Sequence, residues 1–376
     1  MPAEARRHEV AVVGAGQAGL AIGYFLRQQE RDFVILERAE HVAQQWRGRW
    51  DSLKLFTSRR YDSLPGRAFP GAPDGYPSRD EVATYLDAYA QTFDLPVRLE
   101  TDVQALRRDG DGFVLQTSSG DVLAGQVVVA TGPFQEPRVP AFASSLSDDV
   151  VQFHSTRYRN PADLPSGRTL VVGGGNTGYQ IAEELAADRE VHLAVGTRQA
   201  PLPQRLLGRD LFWWLTKTGL INKSVDTKVG KRASGRDDTL VGSSPRKAKR
   251  QGITMRPRAT GASGRTVTFS DGSDLQVEGV VWATGFTSDY SWIDAPITDK
   301  GGRVSHRRGQ TDIPGLYMLG MPWQYTRGSA LLGWVKDDAQ FVAQRIAEYA
   351  ASAPRPSTTN GTTAAATQVV TTRQGD

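Results

Sequence analysis

Residues 10–19 read VAVVGAGQAG, and residues 170–178 read LVVGGGNTG. In each stretch, an apolar run typical of a buried strand leads into a glycine-rich turn, and a helical pattern follows. Such turns let backbone N–H groups approach a pyrophosphate at a helix N-terminus, although a single copy also occurs for packing reasons. Two copies predict two bound dinucleotides and an α/β fold with two Rossmann-like, three-layer dinucleotide-binding domains.

The residue after the second strand of each unit indicates which dinucleotide is bound. The first unit reads FVILER and places Glu37 about 20 positions after Gly14, where a carboxylate binds the hydroxyls of an unphosphorylated ribose. The second unit has Thr197 and Arg198 instead, a hydroxyl and a guanidinium that suit a 2′-phosphate. We therefore expect FAD at the first site and NADPH at the second. A solvated strand end is the alternative interpretation of Glu37 and Arg198.

Composition narrows the possible functions. The chain has 376 residues, a net charge of +4 and no cysteine, which excludes a redox-active dithiol and thiolate metal sites. The five histidines show no ligand spacing, so no metal is expected. No nucleic-acid-binding module is recognisable, and no apolar run is long enough to cross a bilayer. We expect a cytoplasmic protein that acts on a small molecule, binds no nucleic acid and has an oligomeric state that the sequence leaves open.

A second repeat indicates an internal duplication. Two buried strands end in Ala-Thr-Gly, the first at Thr131 and Gly132 and the second at Thr284 and Gly285. We predict an NADPH-binding domain inserted in the FAD-binding domain. The predicted segments are residues 8–160 for FAD, 161–285 for NADPH, 286–350 for FAD, and a disordered tail at 351–376.

The predicted NADPH domain is interrupted by residues 201–258, an aromatic and basic insertion. Within it, Phe212, Trp213 and Trp214 are adjacent and cannot all point into one core from a single helix face. Three interpretations stay open: a pocket or interface, a buried pair of helices, and a helix that lies on a membrane surface.

The order of these motifs resembles the class B flavin-containing monooxygenases. It is most similar to a bacterial branch that is close to plant YUCCA enzymes and is often labelled as putative potassium-transport flavoproteins. The resemblance covers about residues 8–350. It rests on GAGQAG with Glu37, WRGRWDSLKLFTSRRYDSLPGRAFP from Trp46, both ATG sequences, GGGNTG, GLYMLG from Gly315 and RGSALLGWVKDDAQFVA from Arg327.

The resemblance implies an NADPH- and FAD-dependent monooxygenase. The implied reaction inserts one oxygen of O₂ into a small apolar or aromatic acceptor through a C4a-hydroperoxyflavin, so the cofactor carries the chemistry. Two alternatives stay open: an FAD-dependent NADPH oxidase or dehydrogenase without oxygen transfer, and a nucleotide-sensing regulatory flavoprotein. The substrate and the type of oxygenation are not specified.

The resemblance also implies a set of cofactor-binding residues. For FAD these are Gly14, Gly16, Gly19, Glu37, Trp46, Arg47, Leu53, Thr131, Gly132, Gly320 and Leu332. For NADPH they are Gly173, Gly175, Asn176, Gly178, Thr197 and Arg198. A core anchor is the alternative role of Trp46.

No catalytic residue is assigned, and the candidates are Thr57, Ser58 and Trp334. The first two are candidates because the asparagine that animal-type members place near the flavin has no counterpart in LKLFTSRRYDS. Trp334 stands where relatives often have a small residue, and we expect it to narrow the substrate cavity.

Overall fold

The computed structural model describes residues 7–197, 199–235 and 239–352. Its strands, in chain order, are β1 (Arg7–Val13), β2 (Phe33–Leu36), β3 (Val97–Arg98), β4 (Val103–Asp109), β5 (Gly112–Thr117), β6 (Val122–Val129), β7 (Glu136–Pro137), β8 (Val151–His154), β9 (Thr169–Val172), β10 (Val191–Ala194), β11 (Pro201–Leu202), β12 (Arg205–Leu206), β13 (Arg209–Asp210), β14 (Leu240–Val241), β15 (Thr254–Arg256), β16 (Ala259–Ser263), β17 (Thr266–Phe269), β18 (Asp274–Gln276), β19 (Gly279–Trp282), β20 (Phe286–Thr287), β21 (Ile293–Asp294), β22 (His306–Arg307), β23 (Gln310–Thr311) and β24 (Leu316–Met318).

Helices connect and cover these strands. The α-helices are α1 (Gln17–Gln28), α2 (Gln44–Arg47), α3 (Arg79–Thr92), α4 (Asn176–Leu185), α5 (Leu211–Lys217), α6 (Lys228–Ser234), α7 (Pro245–Arg250) and α8 (Val335–Ser352). Short 3₁₀ turns cover Arg59–Tyr61, Ala141–Ser145, Pro161–Asp163 and Arg327–Ala330. Among the described helices, none is both long enough and apolar enough to cross a membrane.

The larger sheet has a parallel centre. Strands β3, β2, β1, β6 and β24 lie side by side in parallel, and β4 and β5 extend from β6 as an antiparallel meander. Val10–Val13 and Val127–Val129 are buried on both faces, as expected for central parallel strands. One face packs against α1, α3 and α8, and this places the N-terminus of α1 at the carboxyl edge of the sheet.

The second sheet is parallel throughout, in the order β15, β10, β9, β19, β8. An antiparallel unit of β16, β17 and β18 lies in sequence between β15 and β19. The chain then returns to the first sheet, where β24 pairs with β6. The predicted α/β fold with two Rossmann-like domains, one inserted in the other, is confirmed.

The residue limits of the domains remain a prediction. Two strands pair in the second sheet although these limits place them elsewhere. β8 lies within the predicted first segment, 8–160, yet pairs with β19 in the second sheet. β15 lies within the predicted insertion, 201–258, yet pairs with β10. Of the predicted tail, 351–376, the first two residues complete α8, and the others lie outside the described residues.

Helix α3 fixes the long loop that follows α2. It begins with a capping box, in which the Glu81 N–H donates to Ser78 Oγ and the Ser78 N–H donates to Glu81 Oε2. Farther along the helix, the Tyr85 hydroxyl accepts the Leu64 N–H and donates to the Arg67 carbonyl. These bonds hold the loop after residue 53 against α3.

Candidate cofactor and substrate site

The first glycine turn is tight on one side and open on the other. A Cβ on Gly19 would lie 1.9 Å from the Gly14 oxygen, and one on Gly14 would lie 2.8 Å from the Ala130 oxygen. A Cβ on Gly16 would meet no described atom within 4 Å. Gly16 is the N-cap of α1, and among the described residues no side chain caps this helix and no acid occupies its first turn. The unpaired N–H groups and the positive end of the helix dipole therefore suit a pyrophosphate.

Glu37 lies beside this turn, as the spacing predicts. Its Oε2 accepts the Ala15 N–H at 2.7 Å, and its Oε1 accepts the Ala39 N–H at 3.1 Å. Each carboxylate oxygen can accept a further hydrogen bond. The side chain is only partly buried, so the carboxylate is fixed in place and can still accept a hydroxyl of a ligand ribose.

The second glycine turn repeats this geometry. A Cβ on Gly178 would lie 1.9 Å from the Gly173 oxygen, and one on Gly173 would lie 2.0 Å from the Ala283 oxygen. Gly175 is the N-cap of α4, which within the described residues has neither a capping side chain nor an acid in its first turn. The two turns therefore have similar backbone geometry on two different sheets, and both suit an anion.

Asn176 has a role that the sequence does not reveal. Its Oδ1 accepts the Val241 N–H at 2.9 Å, and its Nδ2 donates to the Thr239 carbonyl at 3.2 Å. The predicted NADPH turn is thus tied to β14, which belongs to the insertion.

Thr197 lies three residues after the end of β10 and contacts a cation that sequence reasoning missed. Arg258 Nη2 donates to Thr197 Oγ1 at 3.5 Å, and a Cβ on Gly196 would lie 3.0 Å from the Arg258 guanidinium carbon. Arg258 follows β15, the strand that pairs with β10, and both side chains are exposed. Arg198, which the sequence predicts to bind the 2′-phosphate, lies outside the described residues.

Trp46 connects three segments near the first turn. Its Nε1 donates to Gln17 Oε1 at 3.1 Å, and Gln17 Nε2 donates to the Ala330 carbonyl at 2.9 Å. Its ring packs partly against the cores of both domains, in line with the alternative role as a core anchor. The neighbouring Arg47 forms an ion pair with Asp87 on α3.

Three other predicted FAD residues follow the carboxyl ends of strands in the first sheet: Thr131 and Gly132 after β6, and Gly320 after β24. Gly132 has a φ of 71° and open space where a Cβ would stand, while Thr131 Oγ1 accepts Gln135 Nε2 at 2.9 Å. Gly320 approaches α1 closely, because its Cβ would lie 2.8 Å from the Ala18 side chain. Two further predicted residues, Leu53 and Leu332, are buried in hydrophobic cores.

An aromatic cluster lies where the loop after α2, the insertion and the segment before α8 meet. We define it as Phe56, Tyr61, Phe212 and Trp334. Trp334 stacks on Tyr61 with ring centroids 5.5 Å apart, and Phe212 lies 5.6 Å from Trp334 and 5.8 Å from Phe56. Trp334 is 9% exposed and packs with the buried Phe212 in a hydrophobic core.

Gly333 allows this contact between segments. A Cβ at this position would lie 1.8 Å from the Tyr61 carbonyl oxygen and 3.2 Å from the Asp62 nitrogen. Since any larger residue would separate the two backbones, the glycine is required by the close approach.

A buried polar group adjoins the cluster. Thr57 Oγ1 donates to Asp62 Oδ1 at 2.6 Å, whereas Asp62 Oδ2 and Ser58 Oγ have no hydrogen-bond partner among the described residues. Asp62 is 1% exposed, and burial raises the pKa of its carboxyl to about 7, with a further increase from the charge of Asp210 and an opposing effect of Thr57. The candidates Thr57 and Ser58 thus lie around a carboxyl that sequence reasoning did not single out.

Asp210 provides a second buried carboxylate near this cluster. It caps α5 by accepting the Phe212 N–H at 2.7 Å, and it accepts the Tyr76 hydroxyl at 2.8 Å. Burial raises the pKa of Asp210 and also that of Tyr76.

Arg49 lies at the junction of the two domains and was also missed. It is buried between Phe134 and Phe286, the aromatic residues that follow the two ATG sequences, with its guanidinium carbon 4.6 Å and 5.6 Å from their ring centroids. Burial lowers the pKa of this guanidinium to about 10, and Arg159 contributes in the same direction. Nearby, His154 Nε2 lies 3.0 Å from the Gly285 carbonyl oxygen.

Similarity to known proteins agrees with this geometry. Residues 11–205 match the family model described as pyridine nucleotide-disulphide oxidoreductase. An uncharacterized CzcO-like oxidoreductase from Geobacillus kaustophilus is 47% identical over 91% of this chain and 99% of its own. The probable indole-3-pyruvate monooxygenase YUCCA9 of Arabidopsis thaliana is 28% identical over 89% of this chain and 88% of its own.

A solved structure covers both domains. The flavin-containing monooxygenase from Stenotrophomonas maltophilia is 28% identical, superposes with a TM-score of 0.77, and covers 92% of this chain and 99% of its own. The chain belongs to the class B flavin monooxygenase-like family. It is a flavin-dependent oxidoreductase with FAD- and NADP-binding Rossmann-type domains.

The residues present fit these two cofactors. Each domain offers a glycine turn at a helix N-terminus that no described side chain caps, which suits a dinucleotide, and the first turn adds the fixed Glu37 carboxylate. Across the described residues, no group of three or more His, Asp or Glu side chains forms a candidate metal site.

Proposed function

We propose that this chain is an NADPH- and FAD-dependent monooxygenase that inserts one oxygen of O₂ into a small apolar or aromatic acceptor. When bound and reduced by NADPH, FAD supplies the activation of O₂. The residues of the chain hold the two cofactors, exclude water and shape the acceptor pocket. The aromatic cluster is the observation that carries the proposal.

The position of the cluster in the fold and its aromatic composition favour an apolar acceptor. Phe56 and Tyr61 come from a segment that the family resemblance assigns to FAD, and Trp334 comes from the other FAD segment. Phe212 comes from the insertion, so the cluster joins parts of the chain that are distant in sequence. Aromatic side chains make large apolar contacts and pack well against a flat ligand.

We propose that FAD binds through Gly14, Gly16 and Gly19, with Glu37 on its ribose. The N–H groups at the start of α1 would hold the pyrophosphate, and Gly132 and Gly320 would leave room for the remainder of the cofactor. Trp46 would act through Gln17 by fixing the first turn of α1.

We propose that NADPH binds at Gly173, Gly175 and Gly178 and that Arg258 selects it over NADH. A guanidinium beside the Thr197 hydroxyl suits a 2′-phosphate, because charge-assisted hydrogen bonds to phosphate are strong. Arg258→Ala should raise the KM for NADPH by about tenfold, equal to about 1.4 kcal/mol, and leave that for NADH unchanged. Arg265→Ala, which also removes an exposed arginine from the same domain, is the control. Equal effects on both nucleotides would contradict the assignment.

The monooxygenase proposal is tested by the stoichiometry of turnover. The purified FAD-loaded protein is mixed with NADPH and ¹⁸O₂ in the presence of a panel of thioethers, amines, ketones and aromatic 2-oxo acids. Oxygen transfer predicts an accelerated reaction with one acceptor class, one labelled oxygen in the product and little peroxide. Complete conversion of O₂ to peroxide with every acceptor would contradict it.

One observation favours an NADPH oxidase as the second candidate. The Thr57 hydroxyl donates to Asp62, and the Ser58 side chain is 1% exposed. The Thr57 hydroxyl is therefore occupied by Asp62, and the unpaired Ser58 hydroxyl is buried, so neither is exposed as a donor for oxygen chemistry. Complete conversion to peroxide in the same assay would support this second function.

A further inference from the structure

One hairpin has a leucine at its tip. The side chain is exposed to water there, and the backbone has a positive φ that is unfavourable for leucine. Strands β12 and β13 are joined by the two-residue turn Leu207–Gly208. Leu207 is 82% exposed, the highest value among the large apolar side chains of the described residues, and Leu206 is 46% exposed. The φ angles of Leu207 and Gly208 are 50° and 74°.

A turn with two positive φ values normally contains Asn-Gly or Asp-Gly. Leucine is strained in the left-handed region, and an exposed leucine contributes no burial in the free protein. The hairpin therefore carries a residue that costs stability unless something covers it.

Arginines and tryptophans surround the exposed leucines. Arg205 and Arg209 flank the turn and are exposed, and the Arg209 guanidinium lies 5.5 Å from the Trp213 ring centroid. Trp214 Nε1 donates to the Leu206 carbonyl at 2.9 Å, which fixes the hairpin to the middle of α5. The exposed residues Arg205–Arg209, together with the partly exposed Trp213 and Trp214, thus form one surface with leucines at its end and arginines beside them.

The charge of the surrounding segment is strongly positive. Residues 201–235 contain seven lysines and arginines and two aspartates. One of the aspartates, Asp210, is buried, while all seven basic side chains are exposed. Leu202, Leu220 and Val229 add further exposed apolar area to the same segment.

We propose that the hairpin Arg205–Arg209, with Trp213 and Trp214 beside it, docks on the surface of a lipid bilayer that contains anionic lipids. Leu206 and Leu207 would enter the acyl boundary, the tryptophans would lie at the headgroup level, and the arginines would pair with lipid phosphates. A second copy of this chain is a poorer occupant, because a twofold contact would place the same positive charges against each other. The inference is independent of the reaction assigned above.

Vesicle binding tests this inference on the full FAD-loaded chain. The protein is sedimented with vesicles of phosphatidylcholine alone and of phosphatidylcholine mixed equally with phosphatidylglycerol. We expect binding to the anionic vesicles, with weakening at high salt, and little binding to the neutral ones. Arg205→Gln combined with Arg209→Gln should lower the partition coefficient about 30-fold, the effect of two lost headgroup charges.

The turn offers a variant that separates docking from folding. Leu207→Asn places a residue suited to positive φ in the turn, so thermal stability should hold or rise while vesicle binding falls about tenfold. Controls are Leu99→Ser, an exposed leucine outside the insertion, and Lys300→Gln with Arg303→Gln, which remove two exposed charges elsewhere. Equal loss in the controls would overturn the proposal, as would absence of binding to anionic vesicles. Light scattering that shows a dimer disrupted by Leu207→Asn would assign the surface to a second copy instead.

Discussion

Asp62 should make the folded protein less stable as the pH rises. Its carboxyl is buried, one of its oxygens has no partner among the described residues, and burial raises its pKa from 3.8 to about 7. Below pH 3.8 both the folded and the unfolded states are protonated. Between 3.8 and about 7 the folded protein holds a proton that the unfolded chain has released, so the free energy of unfolding falls with rising pH.

The size of this effect follows from the shift in the pKa. At about 1.4 kcal/mol per pH unit, the full penalty above pH 7 is about 4 kcal/mol, of which about 3 kcal/mol develops between pH 5 and pH 8. Asp62→Asn removes the ionisation and keeps an acceptor for the Thr57 hydroxyl. The effect of this substitution on packing is the same at both pH values. The change in its effect on the free energy of unfolding between pH 5 and pH 8 therefore reports the ionisation of Asp62 alone.

The assay is urea unfolding followed by circular dichroism at pH 5 and pH 8, with saturating FAD. We expect the free energy of unfolding of Asp62→Asn, relative to the native protein, to increase by about 3 kcal/mol from pH 5 to pH 8. Asp111→Asn, on the exposed turn between β4 and β5, controls for the loss of a surface carboxylate. Parallel pH profiles of the native protein and Asp62→Asn would refute the reasoning.

Two further predictions concern glycines. Gly16→Ala should leave the fold intact, because its Cβ meets no described atom within 4 Å, but should weaken FAD binding about tenfold. Gly175→Ala should weaken NADPH binding by a similar factor and leave FAD binding unchanged. Binding titrations that show no such selectivity would contradict the two-site assignment. Gly333→Ala should release FAD more readily, because its Cβ would lie 1.8 Å from the Tyr61 oxygen and would push the two FAD segments apart. Flavin fluorescence reports the release, Gly261→Ala is the control in open space, and unchanged retention would contradict the role given to Gly333.

The sequence predicts those parts of the site that depend on local geometry. Gly19 and Gly178 must be glycine because each approaches the backbone of its own turn, and such a requirement is visible within a few residues. Glu37 follows from the fixed length of a strand–helix–strand unit, which brings the end of β2 next to the first turn. Both signals depend on residues that are close in the chain, so they can be recognised in the sequence.

The remaining features depend on contacts between distant segments. Arg258 meets Thr197 only because β15 pairs with β10 across the insertion, so no spacing rule identifies it. Asp62 appears in the sequence as an ordinary polar loop residue, and its raised pKa arises from burial by packing. Asn176 occupies a motif position, but its partners at Thr239 and Val241 lie in a segment without a recognisable pattern.

Oxygen transfer is the central claim, and rapid mixing tests it most directly. The FAD-loaded protein is reduced with NADPH in the absence of oxygen and then mixed with aerated buffer while the absorbance spectrum is recorded. We expect reduction by NADPH, then a transient species that differs from both reduced and oxidised flavin and decays faster when the acceptor is present. Immediate return of oxidised flavin with one equivalent of peroxide, with and without the acceptor, would contradict the monooxygenase proposal.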